Sequence, residues 1–280
     1  MIELTFLSEN KTDMFDAKAE FGLSMYIRAR GMEILFDTGG SYIFADTAAL
    51  RGIDLAAADL CVISHGHFDH TLGMPEFCRQ NDKANIYIHR NAFRTFYGTT
   101  DGVIDDYNCG ITLDPAEIEK IRDRFCLTGD EPVWLAEDIA LSGPIPPVPA
   151  FSPVEQFYYP GPDGKLVKDP MDHEQFLAIR EPDGVYLFSG CSHQGIIAAV
   201  EYCHTLFPGE RIAGIIAGMH LIDATNEMRA EIIERLYAEQ PDVIIPMHCT
   251  GLTAEFMMKM KFGDRCHIGS NGKQYVLGVK

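Results

Sequence analysis

Apolar and polar residues alternate from the first positions of the chain. Ile2, Leu4 and Phe6 are separated by Glu3 and Thr5, and this two-residue period predicts a half-buried first strand. Residues 23–28 and 32–36 read as two more strands joined by a turn at Arg30 and Gly31, and Asp37-Thr38-Gly39-Gly40 ends the second. A short apolar run at 60–64 leads into a histidine-rich segment. The pattern then predicts a helix over about 70–79 and a strand over 85–89. Residues 91–170 break this regularity with runs such as Gly143-Pro144-Ile145-Pro146-Pro147-Val148-Pro149. They read as an elaborated region, too irregular for a second core, with a helix near 115–124 and a few strands. Such a region is either a lid beside the site or a passive surface insertion. The last third alternates strand and helix: strand 185–189, helix near 195–207, strand 212–218, helix near 224–239, strand 242–247. Apolar strands between amphipathic helices predict an α/β fold with helices covering the sheets, here as a single domain over 1–280.

The formal charge of −18 removes the basic footprint that a phosphate backbone requires, so no nucleic-acid partner is expected. The start of the chain has no basic leader, and no stretch reaches membrane-spanning length. The expectation is a cytoplasmic protein acting on a small molecule, away from membranes. Eight cysteines, at 61, 78, 109, 126, 191, 203, 249 and 266, form no C-x-x-C pair and read mainly as small buried hydrophobes.

The chemistry concentrates in Ser64-His65-Gly66-His67-Phe68-Asp69-His70. On extended backbone His65, His67 and Asp69 share one side, while His70 points elsewhere. One segment thus offers two imidazoles to one metal ion, and a carboxylate with an imidazole to a neighbour, a donor set that suits zinc. Gly66 is expected to keep the backbone clear of the ions. Four strands also end in potential ligands: 60–64 in His65, 185–190 in Cys191 and His193, 212–219 in His220, and 242–247 in His248. Ligands in α/β sheets collect beyond the carboxyl ends of strands, so these side chains should meet in one cleft. His248 is expected to bind metal. His193 is a ligand or a proton-transfer group, Cys191 a ligand or a buried thiol, and His173 a ligand with which Asp172 competes. His220 is expected to face substrate or to support a ligand. His89, His204 and His267 lack this context.

These residues resemble the metallo-β-lactamase superfamily, through the H-x-H-x-D-H run at 65–70 and Phe36-Asp37-Thr38-Gly39 upstream. The resemblance implies an αβ/βα four-layer sandwich with a dinuclear site at one edge of its sheets. Three further segments are similar to a subgroup named after a dihydropterin–ribofuranosylaminobenzene-phosphate synthase: Ser189-Gly190-Cys191-Ser192-His193-Gln194-Gly195-Ile196, Gly218-Met219-His220-Leu221 and His248-Cys249-Thr250-Gly251. The superfamily's third histidine falls near His173, and its bridging aspartate falls on Cys191. The implied cofactors are two divalent ions, with zinc first and iron or manganese as alternatives. The implied activity is hydrolysis of a small-molecule ester, lactone, amide or phosphoester bond, with Asp69 and His220 as catalytic groups. A synthase-type condensation and a non-catalytic metal or ligand binder are the competing functions.

Overall fold

A computed structural model describes residues 1–278. The first half supplies β1 (Ile2–Ser8), β2 (Ser24–Ala29), β3 (Met32–Phe36), α1 (Ile43–Leu50), β4 (Leu60–Val62), α2 (Phe68–Thr71), α3 (Met74–Gln80) and β5 (Asn85–His89). The middle supplies β6 (Thr99–Thr100), β7 (Val103–Ile104), α4 (Pro115–Ile121), β8 (Phe125–Thr128), β9 (Val133–Ala136), β10 (Ile139–Leu141), β11 (Tyr158–Pro160) and β12 (Leu166–Lys168). The last part supplies β13 (Leu177–Glu181), β14 (Gly184–Ser189), α5 (Ile196–Leu206), β15 (Ile212–Gly218), α6 (Asn226–Ala238), β16 (Val243–Met247), α7 (Leu252–Phe262) and β17 (Gln274–Leu277).

Two large sheets result, ordered β17-β1-β2-β3-β4-β5-β8 and β16-β15-β14-β13-β10-β9. The strands explain the layering. In β14, Tyr186 and Phe188 join the core between the sheets, while Val185 and Leu187 pack toward α5, α6 and α7 on the outer side. In β3, Ile34 and Phe36 face the other sheet, and Leu35 faces α1 and α3. Both faces of each sheet are therefore buried, which is why these strands are apolar throughout instead of alternating. The architecture is the helix–sheet–sheet–helix sandwich implied above. Among the described residues no helix is long and apolar enough to cross a membrane.

Three details differ from the sequence pattern. The helix expected at 70–79 is two helices broken at Leu72 and Gly73, with Pro75 in the first turn of the second, and Gly73 lies so close to the Thr38 carbonyl that a Cβ there would sit 2.1 Å from it. The helix expected to 124 stops at Ile121 and tightens into one 3₁₀ turn. Residues 91–170 are not wholly separate from the core: β8 pairs with β5, β10 pairs with β13, and Ile139 and Leu141 lie between the sheets. Phe96, Cys109 and Phe157 of the region, with Met171 just after it, form a small cluster packed against Phe68.

Candidate metal centre

β3 and β4 run parallel in one sheet, and β14, β15 and β16 run parallel in the other. Their carboxyl ends carry Asp37, His65, Cys191, His220 and His248. Sharp reversals there aim the side chains. Among the described residues, four of the eight non-glycine residues with positive φ are Asp37 (59°), Ser192 (56°), His220 (47°) and His248 (51°). Such conformations persist only where surrounding structure enforces them, and they gather at functional sites.

Two groups of donor atoms come together. His65 Nε2 lies 3.1 Å from His67 Nδ1 and 3.2 Å from His193 Nε2. Beside them, His70 Nε2 lies 3.2 Å from His248 Nε2, and Asp69 Oδ2 lies 3.1 Å from His248 Nε2. Cys191 Sγ sits 3.2 Å from His70 Nε2 and can share an ion with His65 and His70 or with His248 and Cys249. All of these side chains are buried.

The supporting hydrogen bonds fix where the protons are. Asp37 Oδ2 accepts from His70 Nδ1 and from Ser64 Oγ, each at 2.7 Å, and Asp37 Oδ1 accepts from Ser64 N at 2.7 Å. Ser64 Oγ has spent its proton, so it accepts from His65 Nδ1 at 2.9 Å. His248 Nδ1 donates to Asn10 Oδ1 at 2.8 Å. In the neutral rings, Nε2 of His65, His70 and His248 must then carry lone pairs. Lone pairs about 3 Å apart repel unless a cation lies among them. The donor set of nitrogen, carboxylate and sulfur therefore fits divalent metal in both groups.

Electrostatics point the same way. Burial pushes the His65, His67 and His193 imidazoles well below their ordinary range, and neighbouring imidazoles add to it. Burial opposes ionisation of Asp69, but His70 and His248 outweigh it and hold the carboxyl below its usual range. Burial also opposes charge on His70, yet Asp69 and Asp37 outweigh it and raise its affinity for a proton. Surroundings that favour a proton there favour a metal cation as well. Burial pushes the Cys191 thiol well up.

His173 is the expected ligand that the structure uses otherwise. Its Nδ1 accepts from Gly66 N at 3.1 Å, and its Nε2 donates to Asp169 Oδ2 at 3.1 Å. With both nitrogens occupied it props the Gly66 turn, and His193 takes the third place beside His65 and His67. Asp172 is turned away too, paired with Arg94 at 2.7 Å. His173→Asn is expected to lower the thermal midpoint through a loss of about 1–3 kcal/mol while metal content stays at the wild-type ratio. Calorimetry with elemental analysis checks both. Gly66 is also required by a neighbouring backbone, because a Cβ there would lie 2.2 Å from the Ala92 carbonyl oxygen.

Several supports were not singled out from sequence. Glu9 accepts from His248 N, Glu174 accepts from His193 N, and Glu155 Oε2 lies 2.8 Å from His220 Nδ1. Only Glu9-Asn10 left a signal, as polar residues directly after the first strand. His220 stands beside the His193 ring at 4.2 Å, outside both groups but close to Cys191. A pocket of about 290 Å³ opens over His67, Asp69, Cys191 and His248, with His220 in its wall.

Comparison with known proteins places the fold. The chain is 32% identical over 239 residues to an uncharacterised protein of Methanocaldococcus jannaschii, covering 84% of this chain and 86% of the relative. It is 30% identical over 266 residues to that organism's 7,8-dihydropterin-6-methyl-4-(beta-D-ribofuranosyl)-aminobenzene-5'-phosphate synthase, covering 90% and 89%. In fold it is similar to Tm1679, described as a metal-dependent hydrolase of the beta-lactamase superfamily, with a TM-score of 0.84, 22% identity and full coverage of both chains. A family model described as the metallo-beta-lactamase superfamily matches residues 17–213. The chain belongs to the metallo-beta-lactamase superfamily.

Proposed function

We propose that this chain is a metal-dependent hydrolase of a small molecule, holding one divalent cation through His65, His67 and His193 and a second through Asp69, His70 and His248, with Cys191 between them. The observation that carries this reading is the set of buried Nε2 atoms facing one another at 3.2 Å beside an open pocket. Zinc is favoured by the nitrogen, oxygen and sulfur donors. Bound cations supply Lewis acidity and bring a water's pKa toward neutrality. Asp69 borders both the donor group and the pocket, so its carboxylate can orient the attacking water. His220, with Nδ1 tied to Glu155, keeps Nε2 available to hydrogen-bond the leaving group. Asp69→Ala is expected to lower ester turnover by at least about a thousand-fold with the far-UV circular dichroism unchanged. Hydrolysis at the wild-type rate would contradict the proposal.

The second reading is a condensing enzyme like the similar synthase, supported by 30% identity over 266 residues that span 90% of this chain. Condensation of a dihydropterin with an aminobenzene-ribose phosphate by the purified protein would establish it. A purely structural metal site is disfavoured, because open space reaches the donor groups instead of further protein ligands.

A further inference from the structure

The pocket over the donor groups has an unusual lining. Its inner wall is aromatic: the Phe157 ring lies 4.4 Å from the His67 ring, and the Phe21 ring lies 5.1 Å from the His248 ring. Phe21 and Phe68 stack at 6.5 Å. Around the mouth, Phe21 and Tyr107 are each 58% exposed and Ile222 is 53% exposed. Large apolar side chains left open beside a cleft mark a binding surface. His67 also lines the pocket, and its buried Nε2 finds no hydrogen-bond partner among the described residues.

Charge separates this lining from an anion site. Asp105, Glu155 and Asp223 stand along it, and an adjoining cavity shares Glu155 and Asp223 and adds Asp101. Among the described residues no lysine or arginine lines either space. His220 offsets Glu155 at 2.8 Å, whereas Asp105 and Asp223 form no ion pair with Lys or Arg among the described residues. A further cavity that shares Glu155 and Phe157 carries Lys168, and Arg94 is committed to Asp172 and the Tyr159 ring.

Resting on the hydrolase reading, we infer that the part of the substrate remote from the donor groups is an aromatic or apolar group that is uncharged or cationic, and that Asp105 and Asp223 exclude substrates carrying phosphate, sulfonate or carboxylate there. Aromatic walls give a ring its contact area, and carboxylates beside such walls accept a cation and repel an anion.

The test uses metal-loaded protein and three phenyl acetates bearing para trimethylammonium, methyl or sulfonate groups. Each reaction consumes one water, cleaves the acyl C–O bond, and releases acetate, the phenol and a proton. With kcat/KM normalised to the uncatalysed rate, the cationic and neutral esters should exceed the sulfonate by at least about ten-fold. In the double variant Asp105→Asn/Asp223→Asn the cation-to-sulfonate ratio should shrink at least about three-fold. A sulfonate ester cleaved as well as the cationic one overturns the inference while leaving the hydrolase reading intact. An unchanged ratio in the double variant overturns the assignment to these two aspartates. If no ester is cleaved, the hydrolase reading fails for esters. Calorimetric binding of the three phenols then decides the inference by the same order of preference, with an equal or inverted order overturning it.

Discussion

Asp37→Asn is expected to empty both groups of donor atoms at once, although Asp37 belongs to neither. One oxygen of the carboxylate takes Ser64 N, and the other takes both Ser64 Oγ and His70 Nδ1. The carboxylate alone can accept all three. An amide has a single acceptor oxygen, so its NH₂ must face at least one of those donors. If it faces Ser64 Oγ and His70 Nδ1, the serine must turn its proton elsewhere, His65 loses its acceptor, and His70 is driven to the other tautomer. The Nε2 lone pairs of both histidines are then no longer guaranteed. Outer partners of this kind are worth roughly 10–100-fold in metal affinity each. Because this one reaches His65 and His70, the two losses should appear together. Asn has nearly the same volume and tolerates the 59° φ at this position, so the fold should survive. Metal content after dialysis against a weak chelator, set beside circular dichroism, is the check. A wild-type metal-to-protein ratio would show that Asp37 does not set the tautomers.

Gly66→Ala is expected to be nearly as damaging by a steric route. The new Cβ would lie 2.2 Å from Ala92 O and 2.8 Å from Ala92 Cα. Both are backbone atoms, and Ala92 is itself buried, so the segment carrying His65 and His67 must move instead. The movement also pulls Gly66 N from His173 Nδ1. Overpacking of this kind costs about 1–3 kcal/mol or more. A displacement of about 1 Å at a reacting centre can cost 100-fold in rate. Turnover should therefore fall far more than the thermal midpoint suggests. Activity retained within about two-fold would mean that the turn has slack that its contacts do not show.

Much of the site was legible because its residues lie where local geometry repeats. His65 and His67 keep the two-residue spacing of extended backbone, and His193, His220 and His248 each follow an apolar strand, whereas Asp69 and His70 lie in the short helix Phe68–Thr71, where the extended period expected for Asp69 does not apply. Choosing between His173 and His193 was not possible by that route. Both sit in polar segments next to strands, and the difference lies in which ring nitrogens are already taken. Asp169 and Gly66 N occupy those of His173. No spacing rule encodes that pairing. Glu155, Asp105 and Tyr107 were hidden for a related reason. They belong to the proline- and glycine-rich middle of the chain, whose path is set by tertiary contacts and not by a repeating pattern. The pairing of this middle region with the two main sheets is not visible in the sequence because β8, β9 and β10 are only three or four residues long, too short to show a period.

Locating bound metal by anomalous scattering in crystals of protein purified without chelator tests this reading most directly. It predicts one ion among His65, His67 and His193 and another among Asp69, His70 and His248, within bonding distance of those nitrogens and oxygen. Crystals grown with ample zinc, iron or manganese that show no anomalous peak beside these residues would contradict it.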